Sequence, residues 1–227
     1  MSRRRALLGV SGVVPPSNLV MHCPLTTDAN DIIMGTVGTI TGNTYVFNSD
    51  GFNTNNGTNC IDFYNLANFN FLGFTESFTV FWECKNTASG TVQATFLLGI
   101  QNIGNVFDVT TPGNSLNVIT VGTWGTGVGE LFPAPYPIYF DHIANMDIWR
   151  KMALTFDATT KLIQLYVNGV MLRSGTMNNI PNLTTNRMSL GGRYYTPAIP
   201  IANVFRGNIR DFKLFNTVLT QQEIGDL

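Results

Sequence analysis

The stretch Lys151-Met-Ala-Leu-Thr-Phe156, Asp157-Ala-Thr-Thr160, Lys161-Leu-Ile-Gln-Leu-Tyr-Val167, Asn168-Gly169 decides the fold. Two runs rich in apolar and β-branched residues flank a polar four-residue turn, and a second turn follows at once. Asn-Gly is a strong hairpin signal because both residues tolerate the positive φ that a tight two-residue turn demands. Within Leu162–Val167, strand alternation puts Leu162, Gln164 and Tyr166 on one face and Ile163, Leu165 and Val167 on the other. The second set is wholly apolar and is expected to face the core.

The same punctuation recurs outward from this hairpin in both directions. Short apolar or alternating runs lie between turn signals at Leu19–Leu25, Thr44–Phe47, Asn59–Phe63, Ser77–Cys84, Thr95–Ile100, Ser115–Val121, Trp149–Phe156, Arg187–Leu190 and Ile209–Phe215. Their number and spacing predict an all-β, antiparallel sandwich. Only the end reads as helix, where Thr220 with Glu223 three residues on forms a capping box. The stretch Asn48–Gly57 is ligand-rich but lacks EF-hand spacing, and it reads as a loop.

Composition agrees. The chain of 227 residues is 44% hydrophobic and only 12% charged, about half the usual charged share, which argues against disorder. Thirteen basic and fourteen acidic residues give a net charge of −1 and no footprint for nucleic acid. No apolar run is long enough to span a membrane as a helix. Three cations sit at Arg3, Arg4 and Arg5, leaving ten against fourteen acids, −4, for residues 6–227. The cysteines, Cys23, Cys60 and Cys84, have neither disulfide-framework nor zinc spacing and are read as reduced thiols packed in or beside strands.

These segments, in this order, resemble the laminin-G-like, concanavalin A-like lectin/glucanase jelly roll. The resemblance runs from Leu19 to Leu227. It is carried by Leu19-Val-Met-His-Cys-Pro-Leu25 with Asp28 and Asp31, by Cys60-Ile-Asp-Phe63, and by Glu76-Ser-Phe-Thr-Val-Phe-Trp82. Trp149-Arg-Lys-Met-Ala-Leu-Thr-Phe-Asp157 with Leu165-Tyr-Val-Asn-Gly169, Ser189-Leu-Gly-Gly192, and Phe205–Phe215 with Leu219–Ile224 complete it. The fold implied hosts enzymes, lectins, adhesion modules and packing domains alike, so function must be argued from sites.

Glycoside hydrolysis needs two carboxylates about 5 to 9.5 Å apart. Catalytic relatives carry a Glu-x-Asp-x-x-Glu type strand, and none of Glu76, Glu83, Glu130 and Glu223 lies within two residues of an aspartate. Glu83 alone is placed on a strand, and its simpler reading is a solvent-facing alternate residue. His22 and His142 lack paired-ligand spacing and a nucleophile elbow. The chain is therefore expected to be non-catalytic and to need no cofactor. One metal stays open: the resemblance implies a calcium held near the start and near the last strand, regions matched by Asp31 and Asp211. Asp31 is equally a turn former, and Asp211 a partner for Arg210 or a backbone cap.

Sugar recognition needs aromatic platforms beside polar groups. The long stretch Gly122–Ile148 supplies Trp124, Tyr136 and Tyr139, and Tyr194-Tyr195 follows the Gly191-Gly192 turn. The same residues suit a subunit interface, where tyrosine and tryptophan are enriched.

The opening residues 1–18 imitate a secretion leader, but Pro15-Pro16 breaks the apolar run and no small-x-small cleavage site follows. They are expected to form an extended anchoring arm, with Arg3, Arg4 and Arg5 pairing carboxylates and Leu7, Leu8 and Val10 filling a groove on a neighbour. Residues 19–227 form the jelly-roll domain. The combined expectation is a virion structural protein, a bacteriophage head or tail decoration or fibre component, homo-oligomeric, with a trimer as one form, and with a carbohydrate-binding face. The alternative is a secreted lectin or adhesion module.

Overall fold

A computed structural model describes residues 18–42, 46–54, 59–64, 66, 69–87, 93–98, 106–111, 118–124, 138–139, 147–177, 183, 186–192 and 205–227. Its strands are β1 (Leu19–Cys23), β2 (Thr39–Thr41), β3 (Val46–Asn48), β4 (Gly51–Asn53), β5 (Cys60–Tyr64), β6 (Phe78–Asn86), β7 (Gln93–Leu98) and β8 (Val106–Thr111). They continue as β9 (Val118–Trp124), β10 (Ile138–Tyr139), β11 (Arg150–Phe156), β12 (Leu162–Val167), β13 (Val170–Thr176), β14 (Arg187–Leu190) and β15 (Gly207–Phe215). A 3-10 turn at Leu72–Phe74 and the helix α1 (Gln221–Asp226) are the helical pieces among the described residues.

The strands form two antiparallel sheets. The larger runs β13-β12-β11-β6-β15-β4-β3, with β1 pairing the free half of β15's outer edge; the smaller runs β10-β9-β8-β7-β14-β5-β2. The deciding hairpin forms as read, with Leu154 opposite Leu165. The Asn168-Gly169 turn takes positive φ at both residues, 51° and 76°. Ile163, Leu165 and Val167 face the core as expected, but Tyr166 is buried too, in a second cluster behind the sheet. Asn48–Gly57 is not simply a loop: β3 and β4 pair as a hairpin across Ser49-Asp50. Short β2, with only three residues, carried too little pattern to be read.

Strand alternation explains the core. Phe78, Val80, Trp82 and Cys84 of β6 point between the sheets and meet Ile61, Phe63, Met188 and Leu190 of the smaller one. Phe69, Phe71, Phe74, Phe78 and Phe156 pack in tilted and edge-on pairs, with ring centroids 4.7 to 6.1 Å apart. Such tilted pairs match negative ring faces to positive edges. The three cysteines are free and buried, Cys23 and Cys84 within this packing and Cys60 on the opposite side of β5. Burial pushes the Cys84 thiol up to about 11 and raises Cys23 and Cys60 further.

The alternate residues of the larger sheet make the second cluster. Phe81, Ala153, Tyr166 and Phe215 are covered by Leu219 and Ile224 of the C-terminal segment. The capping box is present: the Thr220 hydroxyl accepts from the Glu223 amide at 3.3 Å, and Glu223 Oε2 accepts from the Thr220 amide at 2.8 Å. That amide bond and the Thr220 hydroxyl hold the Glu223 carboxyl below its usual value. Thr220→Ala should cost about 0.5–2 kcal/mol in urea unfolding. Because Glu223 is depressed in the folded state, its part of the cap is present above the ordinary glutamate range and fades as pH falls through its folded value. The parent-to-variant gap should therefore narrow on acidification.

Candidate functional site

In the smaller sheet, β5 alternates core residues Ile61 and Phe63 with Cys60 and Asp62, and β14 alternates Met188 and Leu190 with Arg187 and Ser189. The second residue of each alternation turns away from the core, onto a side that is ordinarily solvated. Here it is buried: Asp62 is 0% and Arg187 4% exposed. Arg187 Nη2 lies 2.9 Å from Asp62 Oδ1. The Thr41 hydroxyl donates to Asp62 Oδ2 at 3.0 Å, and the Cys60 thiol lies 3.9 Å from the same oxygen. Burial pushes the Asp62 carboxyl up, with Arg187 and then Thr41 pulling against it. The Ser189 hydroxyl donates to the Gly192 carbonyl at 3.0 Å.

Register extends this patch across the sheet. Thr39, Asp62, Ser189, Leu97, Asp108 and Gly122 stand in one cross-strand row over β2, β5, β14, β7, β8 and β9. Trp124 ends β9 two residues beyond that row, opposite Val106, and Tyr139 of β10 stands opposite Val118. Two of the sequence-predicted aromatics thus belong to the sheet that holds the Asp62–Arg187 pair. Tyr136, Tyr194, Tyr195 and His142 lie outside the described residues, as do Arg3, Arg4, Arg5, Leu7, Leu8 and Val10.

The outward side of the larger sheet carries the other predicted groups. Lys151, Glu83 and Arg210 stand in one row across β11, β6 and β15. Arg210 Nε donates to Glu83 Oε2 at 2.5 Å, so Glu83 is half of an ion pair and not a solitary acid. Asp211 does not partner Arg210. A bulge in β15 between Arg210 and Lys213, with Asp211 at φ 51°, turns the carboxylate elsewhere. Its oxygens lie 2.8 Å from His22 Nε2 and 2.7 Å from Lys213 Nζ. Burial raises the Asp211 carboxyl, but the His22 hydrogen bond and the Lys213 charge outweigh it and hold it low.

Asp31 is buried and accepts backbone amides from His22 at 2.9 Å, Ile33 at 2.9 Å and Met34 at 3.1 Å. It holds a turn, as its simpler reading required. Asp31 and Asp211 are thus each tied to His22, one through the backbone and one through the ring. Among the described residues no group of three or more His, Cys, Asp and Glu side chains could share a metal ion.

The family described as the concanavalin A-like lectin/glucanases superfamily matches residues 55–225. The chain belongs to this superfamily. No curated protein matches it. Among solved structures, domain 4 of AbnA, an extracellular arabinanase of Geobacillus stearothermophilus in complex with arabinotriose, shares 20% identity at a TM-score of 0.66. That match covers 92% of this chain and 97% of that one. The CBM40 of the Ruminococcus gnavus IT-sialidase, bound to α2,6 sialyllactose, shares 18% identity at a TM-score of 0.52, over 67% of this chain and 82% of that one. The receptor-binding domain of botulinum neurotoxin D shares 14% identity at 0.63, over 92% and 52%. At these identities the likeness is one of fold, the lectin-like sandwich of the superfamily.

Proposed function

We propose that the chain is a non-catalytic module that recognises glycans on the outward side of its smaller sheet. The observation that carries this reading is the cross-strand row from Asp62 and Ser189 to β9, whose last residue is Trp124. The buried, internally paired Asp62–Arg187 ion pair fixes the strands that present the aromatic positions, and aromatic platforms are what saccharides stack their apolar faces on. The superfamily's fold, shared with domains whose structures hold arabinotriose and sialyllactose, supports the class of ligand.

Calorimetric titration with a panel containing arabinotriose and lactose tests it. Trp124→Ala is expected to weaken binding at least about tenfold, as for loss of one aromatic stacking contact, while melting temperature and lack of turnover stay unchanged. Absence of any binding, or unaltered affinity in this variant, would reject the site.

In its finer form the module is displayed on a virion, with residues 1–18 as the anchor. The support is chemical: three consecutive arginines followed by an apolar run suit docking into an acidic-rimmed groove. Removing residues 2–17 should abolish incorporation into particles and leave glycan binding intact. Equal incorporation of the shortened chain would discard the anchor and favour the secreted lectin.

A further inference from the structure

The outward side of the larger sheet holds a second arrangement, centred on Trp149, that the reading above does not use. The Arg210 guanidinium lies 3.9 Å from the Trp149 ring centroid, and Lys85 Nζ lies 5.2 Å from the same centroid. Two cations therefore gather on one indole. Among the described residues Arg210 is steadied through Nε by Glu83, and Lys85 by Asp50 at 3.2 Å. The Nη edge of Arg210 meets no further acceptor among the described residues, and its side chain is 31% exposed.

The platform is fixed from below. The Asp147 amide donates to the Asn86 carbonyl at 2.7 Å, and Arg150 Nη2 donates to Asn86 Oδ1 at 3.0 Å, which locks the backbone on both sides of Trp149. Gly51 leaves room for the row: a Cβ there would stand 2.5 Å from the Ile209 carbonyl oxygen and 2.7 Å from the Arg210 Cβ. Ile148, the residue before Trp149, is 50% exposed.

We infer that this cluster is a subsite for a carboxylate-bearing saccharide. The acid would be taken by the Nη edge of Arg210 with Lys85 at its flank, and the sugar's apolar surface would lie on Ile148 and the exposed rim of Trp149. A guanidinium already stacked and hydrogen-bonded loses little rotamer freedom on pairing, and its flat fork matches a carboxylate. Neutral sugars can accept hydrogen bonds here but gain no charge pairing from these cations. The inference rests on the reading of the chain as a non-catalytic glycan binder, and it assigns a different surface and a charged class of ligand.

The experiment titrates the full chain with 3′-sialyllactose, an oligogalacturonate and lactose. At least one acidic sugar should bind more tightly than lactose, and its affinity should fall as sodium chloride rises. Arg210→Gln should weaken it about 10- to 100-fold, the loss expected of a charge-assisted hydrogen bond. Lys85→Gln, which leaves the Arg210–Glu83 pair intact, should weaken it less. Which acidic sugar wins tells a sialoside from a uronide. Equal binding of lactose and both acids, or full affinity in a folded Arg210→Gln chain, overturns the subsite but not the glycan-binding reading. No binding of any sugar overturns both.

Discussion

Arg187→Leu is expected to destabilise the chain by about 3–5 kcal/mol, the cost of stranding a buried charge. Asp62 would keep the Thr41 hydroxyl but lose the guanidinium 2.9 Å away, in a place that is 0% exposed. For a domain of this size the melting temperature should fall by about 6–20 °C. The paired variant Asp62→Leu with Arg187→Leu should recover most of the loss, because two apolar side chains need no mutual charge. The sign of the pH dependence checks the cause. Burial already raises the Asp62 carboxyl in the parent, and removing Arg187 raises it further. A raised folded-state value means stability present at low pH and lost as pH rises through that value. The deficit of the single variant should thus be largest at neutral pH and shrink toward pH 4. A double variant as unstable as the single one would show that shape, and not charge, holds this patch.

Gly207→Ala is the second large effect, and its origin is backbone against backbone. A Cβ on Gly207 would stand 1.9 Å from the Lys85 carbonyl oxygen and 3.0 Å from the Asn86 Cα, neither of which can rotate away. Gly207 opens β15 opposite Asn86 of β6, and its amide and carbonyl are both bound to Thr54, at 3.1 and 3.0 Å. Relief would require β15 to part from β6, the central pairing of the larger sheet. The expected cost is at least about 3 kcal/mol, the upper range for overpacking, or about 6–12 °C in melting temperature. Scanning calorimetry measures it directly. Gly35→Ala, whose added Cβ would meet nothing within 4 Å, is the control for generic backbone strain at a positive-φ glycine. A Gly207→Ala melt no lower than that control would refute the argument.

Much of the sandwich was legible because long strands write their period into the sequence. β12 and β15 show it, and so does the Thr220–Glu223 cap, whose two partners are three residues apart. The site was less legible. Asp62 sits in Cys60-Ile-Asp-Phe63, where alternation alone assigns it to solvent, and its partner Arg187 is 125 positions away. Only the pairing of β5 with β14 joins them. The acid alone in an apolar strand was the available signal. Asp211 does not meet Arg210, one of the partners its sequence offers, for a similar reason: a bulge adds one residue, and no local pattern announces it. In the sequence Trp149 shows only as part of a strand signature, because the cations above it arrive from β6 and β15.

The three sealed thiols give the molecule a built-in gauge of its own opening. Each sits with its proton held well beyond neutral pH, inside packing that a maleimide or an oxidant must first loosen. Two lie in β1 and β6 of the larger sheet and one in β5 of the smaller. The order in which they become alkylated would report which layer breathes first, without any introduced label.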